Sequence, residues 1–376
     1  MKINGLDACV SGMPRFAAAW VLVAGLQACS GGGSSATDKG VDTLCSASGD
    51  QRLAAMSDEG IAPTRPLGLA AGRYALPPAA APTQLVVMFH GNHNDSCSWR
   101  NHLRQAAGRG AVAVAMDYTG QRTEQVGDRT VENYGWFVRE GAADSIAAAQ
   151  YFLAKYPSIT QVFAFGVSMG GNASGMAVAS ADAVRLDGTT PLFDYWVDVE
   201  GVNNLVEEYL IVRAIAPLVG AAAIAQAEIE EEAGGTIEEV PESYADLTNI
   251  FRVPDMQLKG AVIVHGVDDG LVSTSQSPEM ADALNGAGIP AHLYTVFLRG
   301  DGESGGTVTG DFAFGPDAPA GDVYSGATGE AYESPFAGHG WEGSDTQLVV
   351  KTGFDALWAL MEGAAVEPGA TPVPGN

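Results

Sequence analysis

Short apolar runs recur along the chain and are separated by stretches of mixed, helix-like pattern. The runs centre on Leu85-Val86-Val87-Met88-Phe89, Val162-Phe163-Ala164-Phe165, Tyr195-Trp196-Val197-Asp198-Val199, Ala261-Val262-Ile263-Val264 and Ala291-His292-Leu293-Tyr294-Thr295-Val296-Phe297. With a further run at 111–117, they predict strands near 84–90, 111–117, 160–166, 194–200, 260–266 and 291–297. Helices are expected near 98–108, 138–156, 169–180, 275–286 and 345–361. Strands alternating with helices predict an α/β domain with a mostly parallel central sheet covered by helices on both faces. The domain is expected over residues 61–365, with an insertion at 203–254 between two strands and a flexible tail at 366–376. Within the insertion, Leu218–Ala233 is apolar and then acidic, with Glu228, Glu230, Glu231 and Glu232. It is expected to be either a helical lid over the site or a peripheral decoration.

The candidate chemistry starts where a strand meets a helix. Gly166-Val167-Ser168-Met169-Gly170 follows the run at 162–165 and precedes the small residues Gly171-Asn172-Ala173-Ser174-Gly175. A serine on such a turn needs small residues two places on either side, because strand and helix backbones nearly touch there. The turn projects the hydroxyl clear of the sheet, beside helix N-terminal N–H groups suited to a developing negative charge.

A serine hydroxyl becomes a useful nucleophile when a histidine takes its proton and a carboxylate orients that histidine. In the fold that uses this turn, the order along the chain is serine, acid, histidine. His90, His93 and His102 precede Ser168, and His265 precedes the expected acid, which leaves His292 and His339. His292 lies inside an expected strand, whereas His339 sits in Gly338-His339-Gly340-Trp341 ahead of the last helix, so His339 is the expected base. An imidazole with its reference pKa of about 6.5 would give an acid limb between roughly pH 6 and 7. For the acid, Asp268 and Asp269 follow the run at 261–264, and Glu200 follows the run at 195–199. All three lie at strand ends on the sheet edge where ligands bind. Met169 N–H is one oxyanion donor, and the turn His90-Gly91-Asn92 after the first long run is expected to free another. His90, His93, Asp95 and His102 also cluster in sequence, but their spacing matches no closed zinc pattern, so no metal and no cofactor is expected.

Taken together, a strand followed by His90-Gly91, the turn Gly166-Val167-Ser168-Met169-Gly170-Gly171, His265-Gly266-Val267-Asp268-Asp269 with Val272, and His339 before a final helix resemble the α/β-hydrolase superfamily. The segments are most similar to its prolyl-oligopeptidase-like and carboxylesterase branches, over roughly residues 83–361. The resemblance implies an α/β-hydrolase fold, Ser168 as nucleophile, Asp269 as acid, His339 as base and Asn92 as the second oxyanion donor. Two departures stand out: the chain has no room for the large propeller of true prolyl oligopeptidases, and the Leu298–Gly338 stretch before His339 is unusually long.

The N-terminus points to export. Arg15 precedes the apolar run Phe16–Ala24, too short to span a bilayer, and Leu26-Gln27-Ala28-Cys29 resembles a lipoprotein cleavage box. Residues 1–28 are therefore expected to be a lipoprotein-type signal peptide, Cys29 the lipidated residue, and 29–60 a tether and N-terminal arm. Processing removes Cys9 and lipidation uses Cys29, leaving Cys45 and Cys97 as a candidate disulfide. Closing that loop would stabilise the fold by about 4 kcal/mol in the chain-entropy model. The expected location is the bacterial periplasm or cell surface, membrane-anchored by lipid alone, or the medium.

The net charge of −26 opposes nucleic-acid binding and equally fits a solubility adaptation. The expected activity is hydrolysis of a small-molecule or polymeric ester through an acyl-enzyme. A serine peptidase of the same fold and a non-catalytic binding lipoprotein are the alternatives. The sequence assigns no oligomeric state.

Overall fold

The computed structural model describes residues 51–52, 72–78, 81–127, 129–217, 220–267, 269–297, 323–324, 331–332, 339–340, 342 and 347–374. In chain order the strands are β1 (Gln51–Arg52), β2 (Gly72–Ala75), β3 (Gln84–Phe89), β4 (Val112–Met116), β5 (Arg122–Val126), β6 (Arg129–Tyr134), β7 (Gln161–Val167), β8 (Tyr195–Val199), β9 (Gly260–Gly266), β10 (Ala291–Val296), β11 (Val323–Tyr324), β12 (Ala331–Tyr332) and β13 (Gly369–Val373). The helices are α1 (Arg100–Gly108), α2 (Val138–Lys155), α3 (Met169–Val178), α4 (Leu205–Ile215), α5 (Gly220–Ala233), α6 (Pro241–Asp246), α7 (Asn249–Arg252), α8 (Gln276–Gly286) and α9 (Leu348–Met361).

The apolar runs become strands because both of their faces are covered. In β3, Leu85, Val87 and Phe89 enter one core with α2 and α3, while Val86 and Met88 enter the other with α1 and α9. This is the period-two alternation of a strand between two helical layers. The nine-stranded sheet has the order β1-β2-β4-β3-β7-β8-β9-β10-β13, parallel from β4 through β13, with β2 antiparallel to β4 and β1 antiparallel to β2. On the α9 face, Phe354 stacks on Phe165 at 4.2 Å and on the His102 ring at 3.8 Å, and Trp99 meets Phe165 edge-on. Truncating Phe165 to alanine there would destabilise by about 3–5 kcal/mol.

Two features depart from the sequence reading, one in the expected tail and one a hairpin. The expected flexible tail contains β13, which pairs in parallel with β10 from His292↔Gly369 to Val296↔Val373. His292 is tied into that edge, with Nδ1 2.8 Å from Glu367 O and Nε2 2.9 Å from Thr371 Oγ1. A second two-stranded element, the β5–β6 hairpin, was not anticipated; its strands are polar, and several side chains are exposed. Between β8 and β9 the insertion is helical throughout its regular structure, carrying α4, α5, α6 and α7. Within the described residues, no helix is long and apolar enough to cross a membrane. The expected signal peptide, Cys29, Cys45, Asp268, the 298–338 stretch apart from β11 and β12, and Trp341 lie outside the described residues.

Candidate active site

Parallel strands deliver their C-terminal ends to one edge of the sheet, where a ligand site forms. β3 ends at His90-Gly91-Asn92, β7 at Ser168, β8 at Glu200, and β9 leads to Asp269. Ser168 has φ 58° and ψ −127° between β7 and α3, a conformation that L residues rarely adopt. The two glycines of the motif have steric reasons. A Cβ on Gly166 would collide with Gly170 O and Ser174 Oγ, and one on Gly170 with Phe89 O. The turn is held by Ser168 N–H donating to Val199 O at 3.0 Å and by Gly171 N–H donating to Ser168 O at 2.8 Å. The side chain is left half-buried at the head of the helix.

His339 and Asp269 are brought together: Nδ1 lies 2.8 Å from Asp269 Oδ2, and a protonated Nδ1 donates to that oxygen. Asp269 is fixed in turn, its Oδ1 accepting from Leu271 N–H at 2.8 Å and Val272 N–H at 3.1 Å. Gly340, next to His339, is packed against the nucleophile's own strand. A Cβ there would lie 3.3 Å from Val167 Cγ1 and 2.9 Å from Glu200 Oε2. The imidazole is therefore held at the elbow, although no hydrogen bond joins it to Ser168 Oγ in this structure. Such bonds are often long in unliganded sites and tighten with substrate.

Glu200 sits beside the pair. Its Oε1 accepts from Gly266 N–H at 2.9 Å, its Oε2 accepts from Gly340 N–H, and Oε2 is 3.7 Å from His339 Nδ1. The electrostatics follow from this crowding. Burial pulls the His339 pKa down, but the charge and hydrogen bond of Asp269, with Glu200 and Glu342 adding to them, push it up to about 9. Burial works to raise Asp269 as well, yet His339 and His265 hold it below the ordinary carboxylate value. Burial, reinforced by Asp269, drives Glu200 well above its own. The expectation of an imidazole near 6.5 is therefore corrected: three carboxylates converge on this ring.

On the other side of Ser168, the loop after β3 is clamped. A Cβ on Gly91 would lie 3.3 Å from Ser168 Cβ, so the loop passes directly beside the nucleophile. Tyr118 stacks on the His90 ring at 3.9 Å and donates its hydroxyl to His90 O at 2.9 Å. Glu342, three residues past His339, accepts from Gly91 N–H and from Asn94 Nδ2 at 2.7 Å; burial pushes its carboxyl up to about 7. From the insertion, the fully buried Glu228 of α5 accepts from Asn92 Nδ2 at 3.0 Å and Gly135 N–H at 2.9 Å and lies 2.8 Å from His93 Nε2. Met169 N–H opens α3 and has no carbonyl one turn earlier to donate to. Met169 directly follows Ser168, and Asn92 follows Gly91, whose backbone passes beside the serine. The roles of Glu228 and Glu342 were not read from the sequence, because their partners lie 135 and 251 positions away.

The residues considered for a metal are dispersed. His90 stacks on Tyr118, His93 meets Glu228, Asp95 accepts from Cys97 N–H at 2.7 Å, and His102 stacks on Phe354. Among the described residues, only Glu200, Asp269 and His339 bring donor atoms of ligand type together, within 4.8 Å of one another. Both carboxylates there are already committed to backbone N–H groups.

No curated protein sequence matches the chain. Among solved structures it is similar to an esterase, Est2, from the Planctomycetes species Thermogutta terrifontis, with 19% identity, 80% of this chain and 92% of that chain covered, and a TM-score of 0.48. It is also similar to Pyrococcus horikoshii acylaminoacyl peptidase, with 15% identity and a TM-score of 0.44. There 60% of this chain is covered, and the match spans about a third of the peptidase, 34% of its length. At these identities and TM-scores the likeness carries no argument of its own. The sequence itself matches the prolyl oligopeptidase family over residues 96–301, more than half of its 376 residues. The chain belongs to the prolyl oligopeptidase family of hydrolases.

Proposed function

We propose that this hydrolase cleaves carboxylic esters through an acyl-enzyme, with Ser168 as nucleophile, His339 as general base and acid, and Asp269 orienting the base. The observation that carries the reading is the Ser168 turn at φ 58° sharing a sheet edge with the 2.8 Å His339–Asp269 pair. Ser168 Oγ attacks the carbonyl carbon while its proton passes to His339 Nε2. The oxyanion that forms is received by the N–H groups of Asn92 and Met169. Collapse expels the alcohol, which takes the proton from His339. Water then repeats the attack with the same base and releases the carboxylic acid.

Two buried carboxylates near the serine bear on the choice between ester and peptide. Glu228 and Glu342 are both engaged by the chain's own N–H and side-chain donors, so neither is left open to a peptide's amino terminus. Family membership supports the second reading, a peptidase. A panel of p-nitrophenyl esters of increasing acyl length beside aminoacyl-p-nitroanilides separates the two: ester turnover with no anilide turnover is expected, and the reverse would overturn it. A fluorophosphonate probe should label the wild type and leave Ser168→Ala unlabelled.

The same proposal places the protein outside the cytoplasm. It is anchored through lipidated Cys29, with no nucleic-acid partner, and carries a Cys45–Cys97 disulfide pinning the N-terminal arm beside the loop after β3. Support comes from the Leu26–Cys29 box and from Cys97 lying in the short helical turn that follows that loop. Fatty-acid labelling lost in Cys29→Ser and non-reducing peptide mapping test the two claims.

A further inference from the structure

Ser168 and Glu200 share an unusual backbone. Each directly follows a strand, β7 and β8 respectively, and the preceding Val167 and Val199 are paired in register. Their φ angles are 58° and 51°. For a residue other than glycine this backbone is strained, and it persists only where the surroundings enforce it. At Ser168 the turn presents the hydroxyl. At Glu200 it presents a carboxyl group to the same edge, where the side chain is fully buried and adjoins the base rather than solvent.

Resting on the triad reading above, we infer that Glu200 is a second carboxylate for the base. It is a positioning residue that holds the His339 loop through Gly340 and takes over the Nδ1 proton bond when Asp269 cannot make it. Asp269 holds that bond in the resting site at 2.8 Å, while Glu200 Oε2 waits 3.7 Å from the same nitrogen. A side-chain rotation of about 1 Å would bring it into hydrogen-bond range. Its two oxygens have separate duties. Oε1 accepts from Gly266 N–H at the end of β9, and Oε2 accepts from Gly340 N–H and faces the imidazole. Other charged or titratable groups facing the pair are Asp269 and His265 from β9 and its following loop, Glu208 from α4, and Glu342 from the base's own loop. Among the described residues, only the carboxylates of Asp269 and Glu200 lie within 4 Å of Nδ1. The high proton affinity of Glu200 agrees with a carboxylate held in reserve beside an ionised Asp269.

The test is a double-mutant cycle on p-nitrophenyl acetate hydrolysis with Glu200→Gln, Asp269→Asn and the double variant, each measured for kcat, KM and pH profile. Glu200→Gln should lower kcat about 3–10-fold at unchanged KM and leave the acid limb of kcat/KM in place, since burial and Asp269 already hold the Glu200 carboxyl toward its protonated form. Asp269→Asn should keep at least about 100-fold more kcat than the double variant, beyond the roughly 3–10-fold that independent sites would give. Equal rates for Asp269→Asn and the double variant, or a ratio no larger than the one Glu200→Gln shows alone, would overturn the inference. Thermal melts and fluorophosphonate labelling of each variant distinguish loss of the role from loss of the fold. If Asp269→Asn keeps full wild-type activity, or Ser168→Ala stays active, the triad reading itself fails. With an inactive Ser168→Ala, a flat cycle sinks only the role given to Glu200.

Discussion

The two flanks of Ser168 are built from different materials. On the base flank, the ends of adjacent strands supply the parts: Glu200 after β8, Asp269 after β9, and Gly340 pressed onto β7. On the oxyanion flank, the loop after β3 is held from outside the sheet, by Glu228 of the inserted α5 and by Glu342. The first arrangement inherits its precision from the hydrogen-bonded sheet. The second depends on two buried carboxylates contributed by distant segments. On the proposed reading, the oxyanion donors would be tuned by the insertion without disturbing the base, and the converse would not hold, because Glu342 lies three residues past His339.

The largest effect that would test this division is expected at the base. His339→Ala should lower kcat by at least about 10⁴-fold, with KM little changed, as loss of one member of a triad does. Retained turnover would move the base elsewhere. On the opposite flank, Glu228→Ala should lower kcat by about 10- to 100-fold through a loosened Asn92, a fraction of what loss of an oxyanion donor costs. Glu228→Gln, which keeps an acceptor for Asn92 and Gly135, should recover part of it. The comparison would break if Glu228→Ala raised KM alone.

A third expectation concerns pH. The general base must be neutral, and His339 is held up at about 9 from 6.5, so kcat/KM should rise with pH through the alkaline range. The same shift has a sign for stability. A raised folded-state pKa gives a contribution that is fully present below about 6.5 and is lost as pH rises through about 9. Rate and stability should thus diverge on the alkaline side, which paired rate and melting profiles would show. The smallest effect is expected at the rim of the insertion. Arg122 makes a two-pronged contact with Glu231 at 3.0 Å, but both side chains are about two-fifths exposed. Arg122→Ala should cost no more than about 1 kcal/mol of stability and leave kcat unchanged.

The same division explains what could be read in advance. Strands buried on both faces announce themselves as unbroken apolar runs, and the six expected ones match β3, β4, β7, β8, β9 and β10 to within a residue or two. The β5–β6 hairpin has no such run, since Arg122-Thr123-Glu124-Gln125-Val126 makes little core, and β13 carries both a glycine and a proline. Within the site, the Gly-x-Ser-x-Gly turn was legible because local sterics dictate it. The sequence also placed Glu200 and Asp269 at strand ends, and the resemblance singled out Asp269, whose Oδ2 lies 2.8 Å from His339 Nδ1 against 3.7 Å for Glu200 Oε2. The clamps on Asn92 and Gly91 were out of reach, because nothing local marks which distant glutamate will be buried against them.

Pro372 gives the outer edge of the sheet a property of its own. Val373 turns its carbonyl toward β10, where Phe297 N–H donates to it at 2.9 Å, so the residue before it faces away from the sheet. That outward position is a proline, which has no N–H to offer. The β13 residues are largely solvent-exposed, and a neighbouring molecule approaching this edge would find a donor missing where pairing must begin. The strand that extends the sheet therefore offers one donor fewer to any further strand, which disfavours edge-to-edge pairing there.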